Sequence, residues 1–569
     1  MTCPFRIGLV ADPHYHELFP EYGFADMRLG DRAGAAIRTL ADTLSSTRIF
    51  NESADAFRAV LDGCVEQGLT TVVIVGDLTD DGQVSNLEGA AALLDDYERR
   101  HGIRFFLTPG NHDLHALSGR DHAQRFLVQD GNWRTVGSAA LAGRVSAQMR
   151  VVGTRRFLAA LGRFGFGRRP EDLHWETPFG ASDDPDDRRF TIASPSGGTH
   201  RTQIDASYLV EPEPGLWLLS LDANVFVPRD GAFEADDPAS MTEASDAGWN
   251  GVLRHKPFLL DWMQQVSRRA EAGGKTLLAF SHYPAVDPLK GTLADELALF
   301  GATSFARRTP TPETSAQVAR TGIGHHVSGH LHVDDDTECT LGIHRLDHHA
   351  LPSPVGFPPA WKIAEIAGRD LRLTTHPVDV PAFDRFFEAY RAEIAASGLQ
   401  TQAFTTASSY RDLLEAHVDG LVTGRYLPLD WPADLAVRIP AMSLGDLFDL
   451  MVPPEADAAP QGKPHLSAEL RARPMTAVLA DFYRLRNGQN AALSRLDPRL
   501  ASAYRLVAAH AANDTMPDGI DTVRDRFKIF LRMLARYLAA GAATLNLEPR
   551  TEPRQTSGTG RVSSGPPSA

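Results

Sequence analysis

Short apolar runs recur along the first two thirds of this chain, and each stops abruptly in polar or glycine-containing sequence. FRIGLV, TVVIV and RFFL open the pattern, and LWLLSL, TLLAF and HHVS continue it. Runs of this length, rich in branched side chains and bounded by turn residues, predict buried strands. Between the first two, Phe57, Val60, Leu61, Cys64 and Val65 recur at helical spacing from Ser53, and Gly68 supplies a left-handed stop before the strand Thr71 to Val75. That is a strand-helix-strand crossover. A second helix is predicted over 83–103, with the next strand at Phe105 to Leu107. α/β folds gather ligands at the ends of such strands, so the residues that follow each run are the place to look for chemistry.

Those residues form a consistent set. Asp12 and His14 follow the first run (FRIGLVADPHYH), Asp77 the second (TTVVIVGDLTDDG), and Asn111, His112 and Asp113 the third (RFFLTPGNHD). His282 follows the run in TLLAFSHYP, and His330 and His332 close HHVSGHLH. Each alone has a bland reading: Asp12 as a turn cap, Asp77 as a strand-ending turn, His282 as a core histidine. His330 and His332 flank Leu331, so an extended segment turns both to one face. Taken in order, the set is one of metal ligands. Imidazole nitrogen with carboxylate or amide oxygen suits Mn, Fe or Zn, and two cations held close together need an anionic ligand between them to offset their repulsion. The H-E-x-x-H of zinc proteases and the H-x-H-x-D-H of metallo-β-lactamase folds are both absent.

The order and content of these five segments resemble the calcineurin-like metallophosphoesterase superfamily. The resemblance implies a four-layer α-β-β-α sandwich of two stacked mixed sheets, and two divalent or trivalent metal ions. Asp12, His14 and His332 would hold the first ion, Asn111, His282 and His330 the second, and Asp77 would bridge both. His112 would protonate the leaving oxygen, with Asp113 orienting its ring, while a hydroxide bridging the metals attacks phosphorus. Locally, GDLTDDG and the following G-N-H-D look like class III cyclic-nucleotide phosphodiesterases, which tilts the expected substrate toward a small-molecule phosphodiester. A phosphomonoesterase, a protein phosphatase or a non-catalytic metal-binding scaffold would share the same ligands.

Composition narrows the setting. Of 569 residues, 43% are hydrophobic and 23% charged, as in ordinary globular proteins, and the length calls for more than one domain. The net charge of −15 argues against broad nucleic-acid or anionic-membrane binding. No apolar run approaches the roughly 20 residues of a membrane helix, and the first strand leaves no room for a signal peptide before Asp12. Cys3, Cys64 and Cys339 lack paired spacing. A cytoplasmic protein is expected.

The remaining chain divides by pattern. Residues 1–379 are expected to form the metallophosphoesterase domain, with an insertion at about 115–200 whose arginines and acidic turn read as a charge-balanced cover. From 380 to 546 the pattern turns helical: Phe383, Phe387, Tyr390 and Ile394 form one apolar stripe, closed by Gly398, and Val523, Phe527, Phe530, Leu534 and Leu538 another. These stripes either pack on the core or form an oligomer contact. The tail, 547–569, is expected to be disordered. His325, His326, His344, His348 and His349 match no ligand spacing and read as core or solvated residues, whereas His16 and His115 lie close enough to the ligands to approach a substrate.

Overall fold

A computed structural model describes residues 4–547 apart from 26, 115–116, 140–142, 235–236, 243–247, 400, 452–464, 513–521 and 540–542. His115, Cys3 and the tail beyond 547 lie outside the described residues. The strands of the two main sheets are, in chain order, β1 (Phe5–Val10), β2 (Thr71–Val75), β3 (Arg104–Thr108), β4 (His174–Glu176), β5 (Tyr208–Glu213), β6 (Leu216–Leu221) and β7 (Thr276–Ser281). They continue with β8 (His325–Ser328), β9 (Asp335–Leu341), β10 (His344–Ala350), β11 (Ala360–Ala367), β12 (Asp370–Pro377) and β13 (Ala543–Leu547).

One sheet runs β12-β11-β1-β2-β3 and the other β13-β9-β10-β8-β7-β6-β5-β4. In the first, β1, β2 and β3 are parallel, in register through Gly8 with Val72 and Val72 with Phe105. In the second, β6, β7, β8 and β10 are parallel, with Ser281 opposite Ser328. All five residues of β2 are buried, which is why its sequence is continuously apolar rather than alternating. The crossover helices follow the sequence pattern closely. α1 (Ser53–Glu66) buries Phe57, Val60, Leu61 and Cys64, and α2 (Val84–His101) ends on Gly102 with φ +71°.

Bonds between the sheets fix how their active ends meet. Thr108 Oγ1 donates to Leu221 O at 3.1 Å, Ser220 Oγ to Leu107 O at 3.1 Å, and Tyr208 OH to the same carbonyl at 2.8 Å. The ends of β3 and β6 are therefore held together. The insertion contributes β4 to the sheet edge, a small sheet built from Ala123–Leu127, Trp133–Gly137 and Arg144–Val145, and the hairpin Arg189–Ala193/His200–Ile204. Its arginines meet acids: Arg163 and Arg169 pair with Glu98 of α2, and Arg155 with Asp186.

The carboxy-terminal helices α3 (Phe387–Ser397), α4 (Tyr410–Leu421), α5 (Met475–Leu493), α6 (Pro498–Ala512) and α7 (Val523–Tyr537) share one apolar cluster with both sheets. The predicted stripes point into it, with Phe387, Tyr390, Phe527, Phe530 and Leu534 all buried. Polar contacts reinforce the docking. Tyr390 OH donates to Glu52 Oε1 at 2.9 Å, Glu393 accepts from the amides of Leu40 and Ala41, and Tyr410 OH donates to Pro354 O at 2.8 Å. Residues 543–546, which the sequence pattern placed within the helical region, and Leu547, placed in the tail, instead form β13. This strand pairs in parallel with β9, Ala543 lying opposite Thr337. No helix among the described residues is long and apolar enough to cross a membrane.

Candidate metal centre

The segments after β1, β2, β3, β7 and β8 converge where the two sheets meet. Backbone bonds tie the first two loops together: Asp12 N donates to Gly76 O, His14 N to Asp77 O and Tyr15 N to Leu78 O, at 2.8–3.2 Å. The amide of His330 donates to the Asp12 carboxylate at 2.9 and 3.0 Å, and that of His112 to Asp77 Oδ1 at 2.7 Å. These bonds orient the carboxylates before any ion is considered.

Two groups of side chains result. Asp12, His14 and His332 present ligand atoms within 4.8 Å of one another, and so do Asp77, His282 and His330. Asn111 joins the second group, its Oδ1 lying 3.1 Å from His282 Nε2. Asp77 stands between the groups, with Oδ2 3.2 Å from His282 Nε2 and 3.8 Å from His14 Nε2. All seven residues named from the sequence as ligands are brought together.

Several observations fit this set to cations. His14 Nε2 and His332 Nε2 approach to 3.2 Å, and His330 Nδ1 and His282 Nε2 to 3.0 Å. Ring nitrogens aimed at one another in this way share a point that a cation would occupy. The buried Nδ1 atoms of His14 and His332 and the Nε2 of His330 have no hydrogen-bond partner. Asp12, His14, Asp77, His330 and His332 all have positive φ, between 44° and 72°. Such backbone costs of order 1 kcal/mol or more per non-glycine residue and gathers at functional sites. Glycines leave the room required: a Cβ on Gly110 would collide with Asp77, and one on Gly329 with Asp12.

The charges are poised for metal. Burial, followed by the charge of Arg48, holds His14 well below the usual imidazole range, and burial with Arg308 does the same to His330. His282 differs. Burial lowers it, but the Asp77 carboxylate outweighs burial and pushes it up to about 9. Burial opposes ionisation of Asp77, yet His282 and its neighbours keep that carboxyl well below the ordinary range.

His112 lies beside this cluster, its ring centroid 5.0 Å from that of His14, and its side chain is 23% exposed, so it is open to a substrate. Its orienting acid is not the expected one. His112 Nδ1 donates to Asp81 Oδ1 at 2.8 Å. Asp113 faces the other way, accepting from the amides of Leu78, Thr79 and Gly110 and from the Thr79 hydroxyl. Consecutive side chains in a tight turn diverge, and the Asp113 carboxylate satisfies the amides of the loop after β2. Burial and the nearby Asp77 push its pKa up to about 6.

One further residue enters the site unannounced by any pattern. Arg48, in the long loop before α1, donates from Nε and Nη2 to Asp80 Oδ1 at 2.9 and 2.7 Å and lies 3.4 Å from Asp81 Oδ1. Asp80 and Asp81 belong to the quoted GDLTDDG segment, whereas nothing in the sequence marks Arg48. Outside the site, His16 is buried with Nε2 2.9 Å from Ala36 O, and His326 and His348 form a buried pair 3.0 Å apart.

Comparison with known proteins adds the following. Residues 5–200 match the family model described as calcineurin-like phosphoesterase. No curated protein matches the chain. Among solved structures, a dimetal phosphatase from Danio rerio aligns over 66% of this chain and 100% of its own, at 16% identity and a TM-score of 0.33.

Proposed function

We propose that this chain, whose residues 5–200 match the calcineurin-like phosphoesterase model, is a phosphoesterase that hydrolyses a small-molecule phosphoester at a dinuclear metal centre. Asp12, His14 and His332 would hold one ion, Asn111, His282 and His330 the other, and Asp77 both. The observation that carries this reading is the placement of Asp77 Oδ2 between the two ligand groups, 3.2 and 3.8 Å from a ring nitrogen of each. When bound, two such cations supply Lewis acidity that offsets charge on the phosphoryl oxygens and acidifies a water for attack.

The chain's own residues supply the rest. His112, reachable from solvent and held at Nδ1 by Asp81, presents Nε2 as the proton donor to the departing oxygen. Arg48 steadies Asp81 and Asp80, so the orienting carboxylate keeps its place as the imidazole exchanges its proton. The burial of Asp12, Asp77 and His282 excludes bulk water from the ligand side. Asp113 acts through structure, pinning the loop that carries Asp77. The likeness of GDLTDDG and G-N-H-D to cyclic-nucleotide phosphodiesterases favours a diester.

A turnover screen of Mn-, Fe- and Zn-loaded protein against monoesters, linear diesters and cyclic nucleotides tests this reading. Metal-dependent release of alcohol or phosphate, lost on chelation, is expected. Stoichiometric metal binding with no turnover of any ester class would instead make the chain a metal-binding scaffold.

A further inference from the structure

Asp222 and Asn224 follow β6 as the candidate ligands follow the neighbouring strands, yet neither stands among those ligands. Both are buried, and what fixes them is a cation of the protein's own. Lys256, between the helices Trp249–His255 and Pro257–Ala272, is fully buried. Its Nζ donates to Asp222 O at 2.6 Å, to Asp222 Oδ2 at 3.2 Å and to Asn224 O at 3.3 Å, and Asp205 Oδ2 lies 2.5 Å away. Burial disfavours the charge on Lys256, but the two carboxylates outweigh burial and raise its pKa. A buried ammonium needs its full set of acceptors, so the turn from Asp222 to Asn224 is held in one arrangement.

The side chain of Asn224 carries that fixed point to the metal centre. Its Nδ2 donates to Pro109 O at 3.2 Å, two residues before Asn111, and its Oδ1 accepts from Tyr283 OH at 3.3 Å. A carbonyl can only accept, which settles the orientation of the amide. Tyr283 follows His282 and is fully buried, with its ring centroid 5.1 Å from that of His282 and 4.6 Å from that of His330. One amide thus touches the loop of Asn111 and, through Tyr283, both histidines that would share an ion with it. The ligands of the other ion have different supports: Ser353 Oγ donates to Asp12 O at 2.8 Å, and His14 N to Asp77 O at 3.0 Å.

We propose that Asn224, anchored by Lys256, is a positioning residue for one ion of the pair, the one assigned to Asn111, His282 and His330. Loss of its side chain then lowers affinity at that position and spares the position of Asp12, His14 and His332. A residue directly behind metal ligands acts by holding them where the ion needs them, an effect worth about 10- to 100-fold in affinity. The proposal rests on the dinuclear reading of the centre, but its test does not require turnover.

Manganese binding to the full-length protein, measured by competition with a chelator, would be combined with site occupancies from anomalous diffraction. In Asn224→Ala the ion beside Asn111, His282 and His330 should bind about tenfold or more weakly, while the other stays within about threefold of wild type. Tyr283→Phe keeps the ring against the two histidines and removes only the hydroxyl. It should weaken the same ion by a smaller factor, and it carries the test if Asn224→Ala does not fold. A merely structural role would lower the melting temperature and both affinities together. Equal weakening of the two ions, unchanged affinity at both, or a loss confined to the position of Asp12, His14 and His332, in every variant that folds, overturns the proposal. Wild-type protein that takes up fewer than two ions removes the dinuclear reading and the proposal with it. Two ions bound without turnover of any ester would count against the hydrolase reading alone.

Discussion

The sheet ends and the carboxy-terminal helices contribute to this molecule in opposite ways. Every candidate ligand lies between Asp12 and His332, directly after a strand, where the chain must leave the sheet and backbone bonds fix each side chain. The helices carry none of them. Instead they cover Leu40, Glu52 and Pro354 of the amino-terminal part and supply Arg425, Tyr483 and Arg486 to the wall beside His330. Chemistry is thus concentrated where strands end, whereas the shape of the space around it is set by packing from a distant part of the chain. The two kinds of contribution should fail differently when broken.

The largest effect is expected from ending the chain at 379. Loss of α3 to α7 would expose the buried surface they share with both sheets, and large exposed apolar patches lead to association. Aggregation, or the absence of a cooperative melting transition, should be seen in scattering and calorimetry. A soluble 1–379 fragment with full activity would show that the helices form an independent module. Asp77→Asn should come next, leaving the fold intact while removing at least one of two metal ions and most turnover. Retention of two ions and a near-normal rate would remove Asp77 from its bridging role.

Within the site, His112→Ala should keep both ions and slow hydrolysis of esters with poor leaving groups by on the order of 10² to 10⁴, with much less effect on nitrophenyl esters. Equal loss on both would exclude the acid role. Asp81→Asn should cost less, about 10- to 100-fold, with the same leaving-group dependence, because it acts by orienting the ring. Asp113→Ala should behave as a structural change. It leaves three backbone amides short of their acceptor, for about 1 to 3 kcal/mol of stability, and should lower the melting temperature without the leaving-group signature.

The smallest effect expected is a gradual one with pH. In the metal-free protein Asp77 keeps the proton on His282 up to about 9, although burial opposes it. A metal needs the neutral ring, so uptake displaces that proton and apparent affinity should rise as pH increases from about 6 toward 9. Competition titrations with a chelator of known pH dependence would measure this. Affinity that is flat or falls over that range would show that proton loss from His282 is not linked to binding.

Much of this arrangement was legible in the sequence for a physical reason. Asp12, Asp77, Asn111 and His282 follow apolar strands at once, so a local pattern marks both the element and the position at its end. His330 and His332 could be paired because Leu331 separates them. Asp113 was misplaced because adjacency along the chain says nothing about which way two neighbouring side chains turn, and the acid on the His112 ring comes from the loop after β2. Arg48 lies in a long segment without periodicity, and its role exists only through contacts with distant residues, Asp80, Asp81 and the His112 ring. β13 was read as helical region and tail because a short edge strand depends on a partner, β9, about two hundred residues earlier in the chain. The wall beside His330 was equally illegible, since Arg425 and Arg486 reach it only through the packing of the helices.

The central claim is that these seven residues form one centre for two ions. Anomalous diffraction from crystals grown with manganese tests it most directly. The account predicts two peaks about 3.5 to 4 Å apart, sharing the Asp77 carboxylate, one beside Asp12, His14 and His332 and the other beside Asn111, His282 and His330. A single peak, or two peaks that do not share Asp77, would contradict it.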